Sequence, residues 1–263
     1  MRSRLINGAG DINVIIRCLA MASQGNASVA KSTTWPKVVL FGDSITQFSF
    51  SNDGCWGSMV ADLLQRKCDV INRGFSGYNA RWCVKMIPKV FEEFTSSDIA
   101  MVTIFLGAND SNLPANSQQH VPADEYKTHL INMVEKLQAY GIPREKVLLI
   151  TPPACDVEAW GKDCQANDRP CHKCNKAAGL YASLCKEAAM ESGTACVDLY
   201  TEMMNVTDWQ KLLNDGLHLS TQGSTLLFEL LKPFILKLTS GIEARYPDWK
   251  DVDNTNPDAS LPY

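Results

Sequence analysis

Eight consecutive residues, Ile99 to Leu106 (IAMVTIFL), carry no charge and no break. A strand wetted on one face alternates apolar and polar residues, so an uncharged run of this length marks a strand covered on both faces. The stretch Lys37 to Thr46 (KVVLFGDSIT) repeats the signal in shorter form, four apolar residues ending at Gly42. Strands of this kind belong to parallel sheets with helices packed above and below. Further strands are predicted at 69–72, 146–151 and 195–199. Helices are predicted at 55–67, up to about 91, at 122–140, 172–191 and 221–238, with Ser220 as the N-cap of the last. Residues 154–169 read as a loop rich in Cys and charge, and 209–218 as a turn-rich approach to the last helix. Five strands alternating with helices predict an α/β fold with a five-stranded parallel sheet and right-handed crossovers.

The 263 residues, 45% of them hydrophobic, suffice for one large domain with tails. We place that domain at 35–240, a leader at 1–34 and a C-terminal tail at 241–263, the tail loosely packed or disordered. The leader holds Arg2, Arg4, Arg17 and Lys31 against one acid, Asp11, a composition like that of a mitochondrial transit peptide. A disordered extension fits equally well. The net charge of −4 and the lack of a basic stripe exclude nucleic acid as the expected partner. No apolar run approaches the roughly 20 residues of a membrane helix. Ten scattered cysteines fit reduced, core-filling thiols of an intracellular protein better than a disulfide framework. The cytoplasm is the expected location, with the mitochondrion as the alternative.

Ser44 lies where the first strand ends, the edge at which open α/β sheets place their ligands. A serine hydroxyl is a poor nucleophile until a base takes its proton. Asp215-Gly-Leu-His218 offers that base with an orienting acid, because i, i+3 spacing puts both side chains on one side of a turn. The other histidines have poorer contexts: His120 in a polar loop, His129 in a helix, His172 between cysteines. Asp43 is adjacent to the serine and is expected to hold the turn through backbone bonds. Gly74 and Asn109 each follow a strand and should reach the same sheet edge. Each carries an uncharged donor suited to an oxyanion.

The order of these blocks, G-D-S, then N-x-G-x-S-G, then G-x-N-D, then D-x-x-H, resembles the GDSL or SGNH hydrolases from Phe41 to His218. LFGDSITQ at 40–47, the W-G at 56–57, NRGFSGYNARW at 72–82 and DGLHLS at 215–220 are most similar to the isoamyl acetate-hydrolysing esterase group. The resemblance implies a three-layer α/β/α sandwich of flavodoxin-like type. It implies Ser44 as nucleophile, His218 as base and Asp215 as its orienter, with the Ser44 N–H, the Gly74 N–H and the Asn109 side chain as oxyanion hole. No metal and no organic cofactor are expected. The implied activity is hydrolysis of small, short-chain acetate-type esters through an acyl-enzyme. Lysophospholipase, thioesterase and carbohydrate O-acetylesterase activities are alternatives on the same scaffold. A non-catalytic binding protein would lack one of Ser44, Asp215 or His218, and all are present.

Cys164, Cys171, His172 and Cys174, with Cys155 nearby, form a cluster that the motifs do not use. The Cys171–Cys174 gap is that of a zinc knuckle, but a second such pair is missing. Zinc, a local disulfide and reduced thiols all remain open, reduced thiols being favoured. The cluster follows the fourth strand, so it should border the site and shape the pocket. Phe48 and Phe50, just after Ser44, are candidates for an apolar pocket lining.

Overall fold

The computed structural model describes residues 34–52, 55–114 and 118–261. The leader expectation therefore lies outside the described residues, Thr34 excepted. The strands are β1 (Lys37–Gly42), β2 (Asp69–Gly74), β3 (Ile99–Phe105), β4 (Val147–Ile150) and β5 (Ala195–Val197). They form one parallel sheet in the order β2-β1-β3-β4-β5. The helices are α1 (Ser44–Gln47), α2 (Trp56–Leu63), α3 (Ala80–Phe91), α4 (Ala123–Ala139), α5 (Val157–Ala166), α6 (Asn175–Ser192), α7 (Leu199–Met204), α8 (Thr221–Leu238) and α9 (Pro257–Ser260).

The strand pleat explains why β1 and β3 carry no polar face. Val38 and Leu40 of β1, with Met101 and Phe105 of β3, pack against Trp56 and Val60 of α2 and Leu227, Leu231 and Ile235 of α8. Val39, Phe41, Val102 and Ile104 point the other way. They meet Val84 and Ile87 of α3, Leu130 and Val134 of α4 and Tyr181 and Cys185 of α6. Both faces are buried, so alternation disappears from the sequence. The result is the α/β/α sandwich that the sequence implied. One irregularity lies at the start of β1–β3 pairing, where Lys37 opposes Ile99 and Val38 already opposes Met101. The slip lets Ala100 and Met101 both join the α2–α8 side.

In register, Gly42 pairs with Gly74 of β2 and with Phe105 of β3. The turns after these three strands therefore leave the sheet at one edge. This edge lies where the strand order reverses around β1, the crevice in which open α/β sheets hold ligands.

Two departures from the sequence reading concern segments without a strong apolar period. Residues 157–166 form α5 instead of a loop, begun by Asp156, whose side chain accepts from the N–H groups of Glu158 and Ala159. Its buried face is Trp160 and Cys164. The described part of the tail, 241–261, is tied down at 245–247. The Arg66 guanidinium donates to the carbonyls of Arg245, Tyr246 and Pro247, and Arg245 returns its N–H to the Arg66 carbonyl at 2.7 Å. Composition does not reveal such anchoring, because the acceptors are backbone.

Among the described residues every cysteine is a free thiol, and Cys68, Cys83 and Cys185 fill the core. No group of three or more His, Cys, Asp or Glu side chains among them is placed to hold a metal ion. No helix among them is long and apolar enough to cross a membrane.

Candidate active site

β1 ends at Gly42, where a Cβ would stand 2.3 Å from Thr46 Oγ1 and 2.4 Å from the Phe105 carbonyl. Only glycine lets the chain turn here between α1 and β3. Asp43 caps α1, its Oδ1 accepting from Ile45 N–H at 3.0 Å. Ser44 opens α1 and is buried except for a small aperture.

The partner of Ser44 comes from the turn before α8. His218 Nε2 lies 2.9 Å from Ser44 Oγ, and Nδ1 lies 2.6 Å from Asp215 Oδ2. The other Asp215 oxygen accepts from the N–H groups of Leu217 and His218. This turn needs Gly216 at φ +95, pressed so closely on Asp156 and Trp160 that a Cβ would come within 2.5 Å of their backbones. Burial works to raise the Asp215 carboxyl, but the bonds from the His218 ring and from the two N–H groups outweigh it and hold it at about 2. The carboxylate therefore fixes the tautomer: Nδ1–H donates to Asp215 and bare Nε2 accepts from the serine hydroxyl. Such a chain can move the hydroxyl proton onto the imidazole while Asp215 stabilises the cation formed.

Asn109 follows β3 and lines the same cleft as Ser44 and His218. One proton of its Nδ2 goes to the Tyr78 carbonyl at 2.8 Å, which aims the amide and leaves the other for a ligand.

Gly74 requires a correction. Its N–H donates to Asn72 Oδ1 at 2.9 Å, and Gly74 is not part of the cleft wall. The Asn72 amide also donates to the carbonyls of Thr46 and Gln47 at 3.0 and 3.1 Å. Asn72 and Gly74 thus clamp the end of β2 against α1, and a Cβ on Gly74 would stand 2.0 Å from Gln47 N. Beyond them, Phe75 N–H bonds Gly42 O, Ser76 N–H bonds Gln47 Oε1, and Tyr78 N–H bonds Phe75 O. Gly77 is the exception. It lines the cleft at φ +81, and no hydrogen bond engages its N–H among the described residues. The signal was in the sequence as the second glycine of N-R-G-F-S-G, but nothing local distinguishes it from the first.

The cleft holds about 500 Å³. Tyr78, Trp82 and Trp160 give it aromatic walls, and Asn112, Gln119, His172 and Lys173 give it polar ones. The cysteine-bearing segment does border the site, through Cys164, Arg169, His172 and Lys173. Trp160 stands edge to face with His218 at 5.9 Å and carries the Arg169 guanidinium over its ring at 4.4 Å. Phe48 also meets the His218 ring at 5.9 Å and lines a smaller cavity of about 230 Å³ on its other side. Phe50 does not line it. His120 and His129 stand outside the cleft wall. His129 pairs with Glu125 at 2.9 Å on the preceding turn of α4.

Residues 40–226 match the model of the GDSL-like lipase/acylhydrolase family. The chain belongs to this family. It is 47% identical over 238 residues to the isoamyl acetate-hydrolyzing esterase 1 homolog of Rattus norvegicus, covering 89% of this chain and 95% of that one. The Homo sapiens homolog of the same name is 44% identical over the same shares. A lipase/acylhydrolase from Enterococcus faecalis, 25% identical, shares the fold at a TM-score of 0.59 over 80% of this chain and 99% of that one. An acetylxylan esterase from Geobacillus stearothermophilus, 22% identical, shares the fold at 0.55 over 76% and 94%. The chain is a carboxylic ester hydrolase of the GDSL type.

Proposed function

We propose that this esterase cleaves small carboxylic esters, acetates and similar short-chain acyl groups, through Ser44, His218 and Asp215. The observation that carries the reading is the unbroken chain from Ser44 Oγ through His218 to Asp215, at 2.9 and 2.6 Å. Ser44 attacks the ester carbonyl as Nε2 takes its proton. The oxyanion meets the N–H groups of Ser44 and Gly77 and the Asn109 amide. The protonated His218 then gives its proton to the leaving alcohol, and water releases the acyl group by the same steps. Gly77 replaces Gly74 in this scheme because its N–H is uncommitted among the described residues. The hydrolase domain is 35–240, and its partner is a small-molecule ester. The short-chain preference draws on the relatives named for isoamyl acetate hydrolysis. Cytoplasmic residence is our reading of the thiol-rich composition.

A second reading has its own support. The cleft combines two indoles with the side-chain amides of Asn112, Gln118 and Gln119. Such walls stack on and hydrogen-bond to a hydroxylated alcohol, as in an O-acetylated sugar.

Purified Ser44→Ala protein should lose p-nitrophenyl acetate hydrolysis and fluorophosphonate labelling while keeping its melting temperature. Retained turnover would sink the assignment. A panel of acetates, longer acyl esters and O-acetylated sugars then separates the two substrate readings.

A further inference from the structure

Lys173 lies in the C-H-K-C segment, outside every motif block, yet it is only 7% exposed and reaches the cleft wall. Its ammonium donates to the carbonyl of Ala108, the residue before Asn109. Asp43 precedes Ser44 and Asp110 follows Asn109. Both are buried, and each leaves its Oδ2 without a hydrogen-bond partner among the described residues. Their other oxygens are committed to the N–H groups of Ile45 and Ala80. Both carboxylates attract the Lys173 ammonium. Cys155 and Cys164 also face it, and the Trp160 ring centre is 5.9 Å from Nζ. One buried cation thus bonds the turn after β3 directly and feels the charge of the carboxylates on both turns.

We propose that Lys173 is a positioning residue for ester hydrolysis: its ammonium holds the Asn109 turn at the Ala108 carbonyl and offsets the charge of Asp43 and Asp110, the neighbours of Ser44 and Asn109. The proposal rests on the reading of Ser44 and Asn109 given above. Negative charge develops on the ester oxygen only as the transition state forms, and nearby uncompensated carboxylates oppose it. Removing the ammonium should therefore lower kcat more than it changes KM. An isolated buried charge is costly, so the two carboxylates and the lysine need one another. Burial brings the Lys173 ammonium down to about 8, while Cys155, Asp43, Asp110 and Cys164 pull the other way. Deprotonation near that pH should switch off the same contribution in the native enzyme.

The test uses the purified full chain, its Lys173→Met, Lys173→Arg and Asp110→Asn variants, and p-nitrophenyl acetate from pH 6 to 10. Melting curves and fluorophosphonate labelling accompany the kinetics. We expect Lys173→Met to lower kcat at pH 7 by at least about tenfold with KM within about threefold, and Lys173→Arg to recover most of the loss. Wild-type kcat should decline above about pH 8, and Lys173→Arg should carry activity to higher pH, because a guanidinium stays charged. Asp110→Asn should move the decline to lower pH, since a neighbouring carboxylate no longer holds the proton on Lys173. A folded Lys173→Met enzyme with wild-type kcat overturns the proposal. If that variant does not fold, an unmoved alkaline decline in Asp110→Asn overturns it. Failure of fluorophosphonate to label Ser44 in the wild type counts instead against the reading of the site, and so is told apart.

Discussion

The Asn72 side chain holds the Gly74 N–H at 2.9 Å with its oxygen and the last carbonyls of α1 with its nitrogen. A single amide therefore locks the end of β2 to the helix that begins with Ser44. Asn72→Ala takes the side-chain partner from the Gly74 donor and the Gln47 carbonyl, while the Thr46 carbonyl keeps the Ser49 N–H at 3.0 Å; these groups are only part-buried, so the cost is about 1 kcal/mol. We expect a lower melting temperature together with reduced kcat, since α1 loses an anchor. A variant with wild-type stability and turnover would show that the clamp is dispensable.

Gly77 and Gly74 should respond differently to the same change. At Gly77 the backbone sits at φ +81, and an added Cβ meets only Gln119 Nε2 at 3.2 Å. Alanine is strained there by about 1–2 kcal/mol and turns the N–H away, so Gly77→Ala should lose about tenfold or more in kcat with a smaller loss of stability than Gly74→Ala. At Gly74 an added Cβ strikes the α1 backbone, so Gly74→Ala should mainly destabilise. Thermal melts and kinetics on the pair check this, and the reverse pattern would return the oxyanion role to Gly74.

Asp215→Asn should keep the turn before α8 yet lose activity. The amide can still accept from the backbone N–H groups of Leu217 and His218, but it no longer stabilises an imidazolium or enforces the Nδ1–H tautomer. A loss of about 10⁴ in kcat follows from the worked serine-triad case. Rates within tenfold of wild type would mean that the 2.6 Å bond is not used.

What the sequence made legible follows from how local each signal is. β1 and β3 were legible because burial on both faces leaves an unbroken apolar run. Asp215 and His218 were legible because they stand three positions apart, so one turn brings them together. The commitment of the Gly74 N–H was not, because it depends on which donor the Asn72 side chain takes. α5 was missed because cysteine, charge and Gly161 interrupt its pattern, although Asp156 as N-cap and the i, i+4 pair Trp160 and Cys164 mark it. The burial of Lys173 was invisible, because it depends on how the segment after α5 folds across the sheet edge.

The buried carboxylates predict an unusual response of stability to pH. Burial pushes Asp43 up to about 6 and Asp110 up to about 7, from an ordinary aspartate value of 3.8. Between pH 4 and 7 the folded protein therefore binds more protons than the unfolded chain at these two sites. Stability must fall as pH rises through that window. Asp215 acts in the opposite sense at lower pH. Held at about 2, it adds stability that is complete above about 4 and is lost as pH falls toward 2. Taken together, these groups place maximum stability near pH 4–5. Urea midpoints at pH 4.5 and 7.5 test the sign: the wild type should have the lower midpoint at 7.5. Asp110→Asn cannot ionise at this site and keeps an oxygen for the Ala80 N–H, so its two midpoints should lie closer together. Equal separations in variant and wild type would show that Asp110 does not titrate as its burial requires.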